Sequence, residues 1–307
     1  MNRSGILLVD KPDGLSSAAV VAKVKRHLQS DKVGHGGTLD PFATGLLVVL
    51  LGEATKIARF LLEGSKSYEA TAKLGEETDT GDLQGKITET LPAPKILSLS
   101  QWEEISEQYL GKIQQVPPAY AAIKVQGKAA YEYAREGKPI ELAAREVEIH
   151  DLEILEASDA LLRFRVSCGG GTYIRSLARD MARSLGSFAH LTALRRTESN
   201  QFSIESAITL DALLASPPES TPLLPIQDAL KHLPQVLCSA VEAEKIRQGN
   251  LGIFRLIEQR FQAQGYFLLL TENAKQEPRP LAIASAHPQM QDPFKLERVF
   301  DRSLLDT

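Results

Sequence analysis

The sequence is poor in cysteine and aromatic residues, and it has no long apolar run. Its two cysteines, Cys168 and Cys238, form no CxxC pair, which argues against a disulfide framework and against a cysteine-rich zinc site. The longest uninterrupted apolar run, Leu46–Leu51, is far shorter than the roughly 18–20 residues of a membrane-spanning helix. Ile6–Val9, closed by Asp10 and Lys11, is too short for the apolar centre of a secretory signal. The six histidines (His27, His35, His150, His190, His232, His287) lack metal-ligand spacing, and no HExxH, GxxxxGK[ST] or post-strand GxGxxG occurs. A cytoplasmic protein with neither metal nor cofactor and no membrane association is expected.

A net charge of −4 gives no global support for a polyanionic partner. The charge is unevenly distributed, however. From Arg163 to Arg196 seven arginines face one acid, Asp180, whereas from Glu76 to Glu107 eight acids face two lysines. Such asymmetry allows one cationic face on an acidic protein, although on charge alone a solvated helix face is the simpler explanation.

At 43% hydrophobic and 24% charged the chain has the composition of a globular protein, and 307 residues predict about two domains at roughly 150 each. Gly5–Val9 reads as a buried strand followed by the turn Lys11-Pro12-Asp13-Gly14. Ser16 or Ser17 then caps a helix with Val21, Val24 and Leu28 on one side. Gly34–Gly37 reads as loop, Leu46–Leu51 as a central strand and Glu53–Leu62 as helix. Ser67–Leu74 alternates cleanly, with Tyr68, Ala70, Ala72 and Leu74 on one face. Lys124–Lys128 reads as a turn before a helical stretch from Tyr131 to Arg135, and Leu161–Ser167 as a strand ending in Gly169-Gly170-Gly171. Those glycines precede a helix from Thr172 to Gly186 on which Arg175, Arg179 and Arg183 share a face, and their N–H groups could hold an anion. Pro217, Pro218, Pro222 and Pro225 mark a connection to a short, strand-rich remainder. Strands and helices mix without regular βαβ alternation, which predicts α+β with a mixed or antiparallel central sheet and flanking helices.

The densest unusual segment is Gly34-His35-Gly36-Gly37-Thr38-Leu39-Asp40-Pro41-Phe42-Ala43-Thr44-Gly45. Proline restricts the backbone at Asp40, and the glycines allow close approach of a substrate. This segment resembles the catalytic-aspartate motif of the TruB family, the tRNA pseudouridine-55 synthases. Further resemblances follow in family order: Gly5–Pro12, Lys66-Ser67-Tyr68, Thr78-Asp79-Thr80-Gly81-Asp82, Gly171-Thr172-Tyr173-Ile174-Arg175 and Leu194-Arg195-Arg196.

The resemblance implies a pseudouridine synthase catalytic fold over residues 1–228, with an RNA-gripping insertion within about 76–150. It also implies a small β-rich PUA-like domain over 229–307. The implied reaction isomerises uridine 55 in the T-loop of tRNA, with Asp40, Tyr68 and Arg175 catalytic and no cofactor. His35, Tyr173 and Leu194 would hold the substrate, with Lys11 in the same substrate-binding group supporting the site through packing or charge. Arg179, Arg183, Arg195, Arg196, Lys124 and Lys128, with Arg135 beside them, would meet the RNA backbone. The partner would be tRNA, through its T-stem-loop and with its acceptor stem in reach of the PUA-like domain, with a monomer acting without an obligate protein partner. A guide-RNA-dependent dyskerin-type enzyme, a non-catalytic tRNA-binding protein and a two-carboxylate glycosidase are the competing readings.

Overall fold

The computed structural model describes residues 3–91, 99–138, 140–158, 160–258, 264–287 and 294–305. Its main sheet follows the path Ile208–Thr209, Gly5–Lys11, Thr44–Leu51, Ala189–Ser199, Lys66–Leu74, Leu161–Cys168, Arg145–Ala157, Gly111–Gln115. Two junctions are parallel, Gly5–Lys11 with Ile208–Thr209 and Thr44–Leu51 with Ala189–Ser199, and the rest are antiparallel. The mixed sheet expected from the sequence is therefore present.

Residues Leu46–Leu51 are apolar on both faces because the sheet is covered on both. Leu46, Val48 and Leu50 pack with Ile6 and Leu8 on one side, while Leu47, Val49 and Leu51 pack against Val20 and Val24 of the helix Ser17–His27 on the other. Alternation places odd and even residues of a strand on opposite faces, so a run filling two cores must be continuously apolar. Along Lys66–Leu74, Tyr68, Ala70, Ala72 and Leu74 point into a third core under the helix Ile174–Ser184.

Several local expectations require correction. Ser16 does cap the first helix, accepting from Ala19 N at 3.1 Å, but its buried residues are Ser17, Val20 and Val24, with Val21 turned partly outward. Val33–His35 is a short strand paired with Thr44–Leu51, so only Gly36 onward is loop. Residues Gly52–Ile57 form a 3₁₀ turn before the α-helix Ala58–Leu62. The stretch expected as an insertion is not all peripheral, since Gly111–Gln115 and Arg145–Ala157 are strands of the main sheet. Between them, the hairpin Lys124–Val125/Lys128–Ala129 and the helix Ala130–Arg135 enclose a small core of Ala121, Ala130 and Leu142.

The second sheet, Gln235–Cys238, Gly265–Glu272, Pro278–Ala286 and Phe294–Val299, lies where a strand-rich remainder was expected. It is no loosely tethered unit, because Leu268, Leu270, Ile283, Phe300 and Leu304 share the core of Ile6 and Leu46. Arg59–Glu297 at 2.8 Å, Lys56 donating to Val299 O at 2.8 Å and Asp301 N donating to Glu53 at 2.7 Å bridge the same junction. The proline-rich connection is held against the first strand by reciprocal bonds between Ile6 and Leu224, at 2.9 and 2.8 Å.

Gly45 is where the sheet tolerates least. Its φ is +99°, and a methyl group there would stand 2.3 Å from Arg196 O, the register partner across the parallel junction. Gly45→Ala combines a left-handed conformation with a backbone clash and should cost about 3 kcal/mol or more. Urea unfolding of the variant should show a lowered midpoint or no cooperative transition.

Candidate active site

Asp40 lies in the loop between Val33–His35 and Thr44–Leu51, and its neighbours are fastened before its own carboxylate is considered. Ser17 Oγ accepts from Leu39 N at 2.8 Å and donates to Leu39 O at 3.1 Å. On the other side Pro41 O accepts from Gly14 N at 3.0 Å and Lys11 Nζ at 3.1 Å, and Ala43 N closes a turn onto Asp40 O at 3.1 Å. The Lys-Pro turn of the opening strand therefore acts as a clamp on the aspartate loop. Lys11 is fully buried and gives its other two hydrogen bonds to Pro12 O and Leu15 O, so it supports the site through packing and charge and does not touch the substrate itself. Burial pulls its ammonium down to about 8, against Asp13 and Asp40, which raise it.

Arg175, at the start of the helix Ile174–Ser184, turns inward instead of sharing a surface face with Arg179 and Arg183. Its Nε lies 2.9 Å from Asp40 Oδ2, and Nη2 donates to Asp40 Oδ1 at 3.2 Å. The guanidinium is itself anchored by Thr80 O at 2.6 Å and Tyr120 O at 3.2 Å, with Asp82 at 3.8 Å. The Thr78–Asp82 stretch thus holds the arginine that holds the aspartate. A cleft of about 300 Å³ opens over this pair, lined also by Tyr68, Tyr173, Leu194, Tyr120, Ile123 and Arg145. Asp40 remains 31% exposed toward it, whereas Arg175 is only 4% exposed. The arrangement offers one carboxylate, a buried guanidinium behind it and aromatic walls.

Burial raises the Asp40 carboxyl above its ordinary value, and Arg175 opposes that shift while Asp82 adds to it. Burial likewise raises the Tyr68 phenol, so the ring keeps its proton at neutral pH. His35 stands half-buried outside the cleft lining with its imidazole lowered by burial, hence neutral near pH 7.

The predicted backbone contacts separate into distinct environments. Arg196 is 1% exposed and donates to Leu46 O at 2.7 Å, Gly37 O at 3.1 Å and Thr38 O at 3.4 Å, so it braces the aspartate loop and cannot meet a phosphate outside the cleft. Its expected contact with RNA backbone is corrected on that ground. Arg195 is 43% exposed on Asp10, and Arg183 is 50% exposed on Glu77. Arg179 pairs with Asp180 and donates to Val116 O. Lys124 is exposed at the start of its hairpin, Lys128 is paired with Glu136, and Arg135 lies over the Tyr131 ring. Arg165 bridges Glu69 and Glu153 on the outer sheet face, the solvated arrangement that the arginine cluster also allowed. The three glycines differ: Gly169 N is spent on Glu148 O at 2.8 Å, a side chain at Gly170 would strike Leu62 O at 2.4 Å, and Gly171 takes a φ of +87°.

The profile of the TruB family pseudouridylate synthase N-terminal domain matches residues 25–174, and that of the tRNA pseudouridylate synthase B C-terminal domain matches 175–230. The chain is 47% identical over 249 residues to a tRNA pseudouridine synthase B of Aromatoleum aromaticum, covering 80% of each chain. The chain belongs to the TruB family. A tRNA pseudouridine synthase B of Bordetella pertussis is 46% identical over 77% of this chain and 96% of its own. Among solved structures, a chain of a Cbf5-Nop10-Gar1 complex superposes with TM-score 0.70 at 25% identity, covering 98% of this chain and 86% of that one. The TruB profiles stop at residue 230, whereas the structural likeness extends through the second sheet.

Sequence reading missed Gln115, Tyr120 and Arg145 of this TruB site. Gln115 is buried and grips Tyr173 twice, accepting from its N at 2.8 Å and donating to its O at 3.1 Å. Its only sequence signal was a polar residue ending a strand just before Pro117-Pro118.

The raised carboxyl has a directional consequence for pH. Between its unfolded and folded pKa values the folded protein binds more protons, so this group's contribution to stability falls as pH rises through that interval. Catalysis needing the carboxylate should lose rate on acidification with a midpoint above the ordinary aspartate value. Arg175→Met should move the midpoint further up, which a pH profile of kcat/KM reads directly.

Proposed function

We propose that this protein isomerises uridine 55 of the tRNA T-loop to pseudouridine. The observation that carries the reading is a lone carboxylate, Asp40, ion-paired to buried Arg175 at the floor of an aromatic-walled cleft in a TruB chain. The C1′–N1 bond breaks, the uracil turns, and C5 bonds to C1′; the proton lost from C5 is matched by one gained at N1. Atoms balance without redox or group transfer, so neither a metal nor a cofactor is required.

Cleavage builds positive charge at C1′, and a carboxylate facing the sugar answers it by addition or by taking a proton beside it. Arg175 keeps that carboxylate ionised and aimed. Tyr68 supplies a ring for the base to stack on and a hydroxyl that stays protonated for proton transfer. Tyr173 and Leu194 close the walls. The target base must leave its stack, at a few kcal/mol. Phosphate contacts from Arg179, Arg183, Arg195, Lys124 and Lys128 repay it, all but Lys124 after exchanging their present carboxylate partners for phosphate. His35, neutral and at the loop's edge, meets the RNA where the base has left.

On this reading the enzyme works as a cytoplasmic monomer without a guide RNA or protein partner. The second sheet is a PUA-like domain that reaches the acceptor stem; its nine basic and nine acidic residues from Val236 onward give it a weak electrostatic share.

Purified protein alone should form pseudouridine at the corresponding position of a T-arm minihelix transcript, as mapped by base-specific chemistry. Asp40→Ala should abolish product, at least 10³-fold in rate, with RNA affinity within about threefold of wild type. An active Asp40→Ala protein would exclude the assignment. Arg179→Ala should weaken RNA binding and reduce the slope of log affinity against log salt by about 0.7–0.9, the share of one phosphate contact.

A further inference from the structure

Among the described residues, four cations line the cleft: Lys66, Arg145, Arg175 and Arg196. Three are already committed. Arg175 faces Asp40 and Asp82, Arg196 donates to the carbonyls of Leu46, Gly37 and Thr38, and Lys66 donates to those of Leu61, Leu62 and Gly64 at 3.0, 2.7 and 2.6 Å. Arg145 differs from all of them. Its guanidinium lies over the Tyr173 ring, 4.8 Å from the centroid, and Nη2 donates to Gly171 O. Neither contact neutralises its charge, and its Nε is buried without a hydrogen-bond partner among the described residues.

The sheet explains how this arginine is held. Arg145 opens the strand Arg145–Ala157 and is the register partner of Gln115 across the edge of the main sheet. Directly opposed residues of an antiparallel pair project to the same face. Gln115 grips the Tyr173 backbone from that face, and Arg145 lies on the ring of the same tyrosine. A planar guanidinium stacked on an aromatic ring keeps its edge free for in-plane hydrogen bonds, and that edge suits a phosphate oxygen.

The geometry points to Arg145 as the phosphate-binding residue of the cleft, taking a non-bridging oxygen of one of the two phosphates that flank the extruded uridine. This assignment rests on the proposed isomerase reading. An extruded nucleotide carries its phosphates to the cleft mouth, where desolvation makes an uncompensated negative charge costly. Of these four cations, Lys66 and Arg196 each spend three hydrogen bonds on backbone carbonyls and Arg175 faces two carboxylates, whereas Arg145 gives one hydrogen bond to a backbone carbonyl and keeps donor capacity for a phosphate. Gln115 acts through Tyr173 and is a positioning residue in this scheme.

The test replaces each flanking phosphate of a T-arm minihelix in turn by an uncharged methylphosphonate and measures kcat/KM for wild type, Arg145→Met and Arg145→Lys. One of the two neutral linkages should lower wild-type kcat/KM roughly 10- to 100-fold, the range of one charge-assisted hydrogen bond. Arg145→Met should lose a similar factor on native RNA and less than about threefold more on that neutral linkage, since the interaction can be removed only once. Arg145→Lys should recover part of the loss. The wild-type arm needs no variant to fold, and circular dichroism checks the two that do. Tolerance of both methylphosphonates by wild type, or losses that multiply in Arg145→Met, would return Arg145 to a support for Tyr173. A wild-type protein that makes no pseudouridine in native minihelix would instead remove the isomerase reading, and the Arg145 assignment with it.

Discussion

The contact between Asp40 and Arg175 is the constraint on which the site depends. A carboxylate at the floor of a cleft would avoid its charge by binding a proton, and burial drives Asp40 in that direction. A guanidinium with Nε at 2.9 Å and Nη2 at 3.2 Å opposes the shift and fixes where the oxygens point. The arginine can be buried only because Thr80 O, Tyr120 O and Asp82 surround it, so loops distant in sequence converge on one ion pair. Removing either partner would leave the other charged and desolvated, which is why such a pair costs more to break than it contributes intact.

Around that pair, positive side chains serve as structural struts. Lys11, Lys66 and Arg196 donate mainly to backbone carbonyls of the loops that form the cleft floor and its rim. The arrangement works against ordinary ionisation, since burial pulls both Lys11 and Lys66 down to about 8. For a lysine lowered in this way the unfolded chain binds more protons, so its contribution to stability grows between about pH 8 and its ordinary value of 10.5. Strained ionisation is therefore shared by several groups, consistent with a fold that gives up some stability to hold a reactive loop.

Much of the fold was legible because period-2 patterns report burial directly. Ser67–Leu74 and Leu161–Ser167 alternate in the structure as they do in the sequence, and Leu46–Leu51 is apolar throughout because both its faces are covered. The second sheet was legible as strands, but its shared core with Ile6 and Leu46 was not, since local pattern carries no information about which faces meet. In the site, the motif around Asp40 identified the carboxylate, and the Thr78–Asp82 and Gly171–Arg175 segments identified what surrounds it. The charge of a residue proved a poor guide to its role. Arg195 and Arg196 are neighbours in sequence, yet alternation along a strand sends one to the surface and the other to the core. Arg145 and Gln115 escaped notice because their relation is a cross-strand register between segments thirty positions apart.

A crystal structure of the Asp40→Asn variant bound to a T-arm minihelix would test the central claim most directly. The account predicts the target nucleotide out of its stack, its base against the Tyr68 ring and its C1′ facing the residue 40 side chain, with Arg175 still behind that side chain. A nucleotide left stacked in the loop, or seated with its ribose turned away from residue 40, would contradict it.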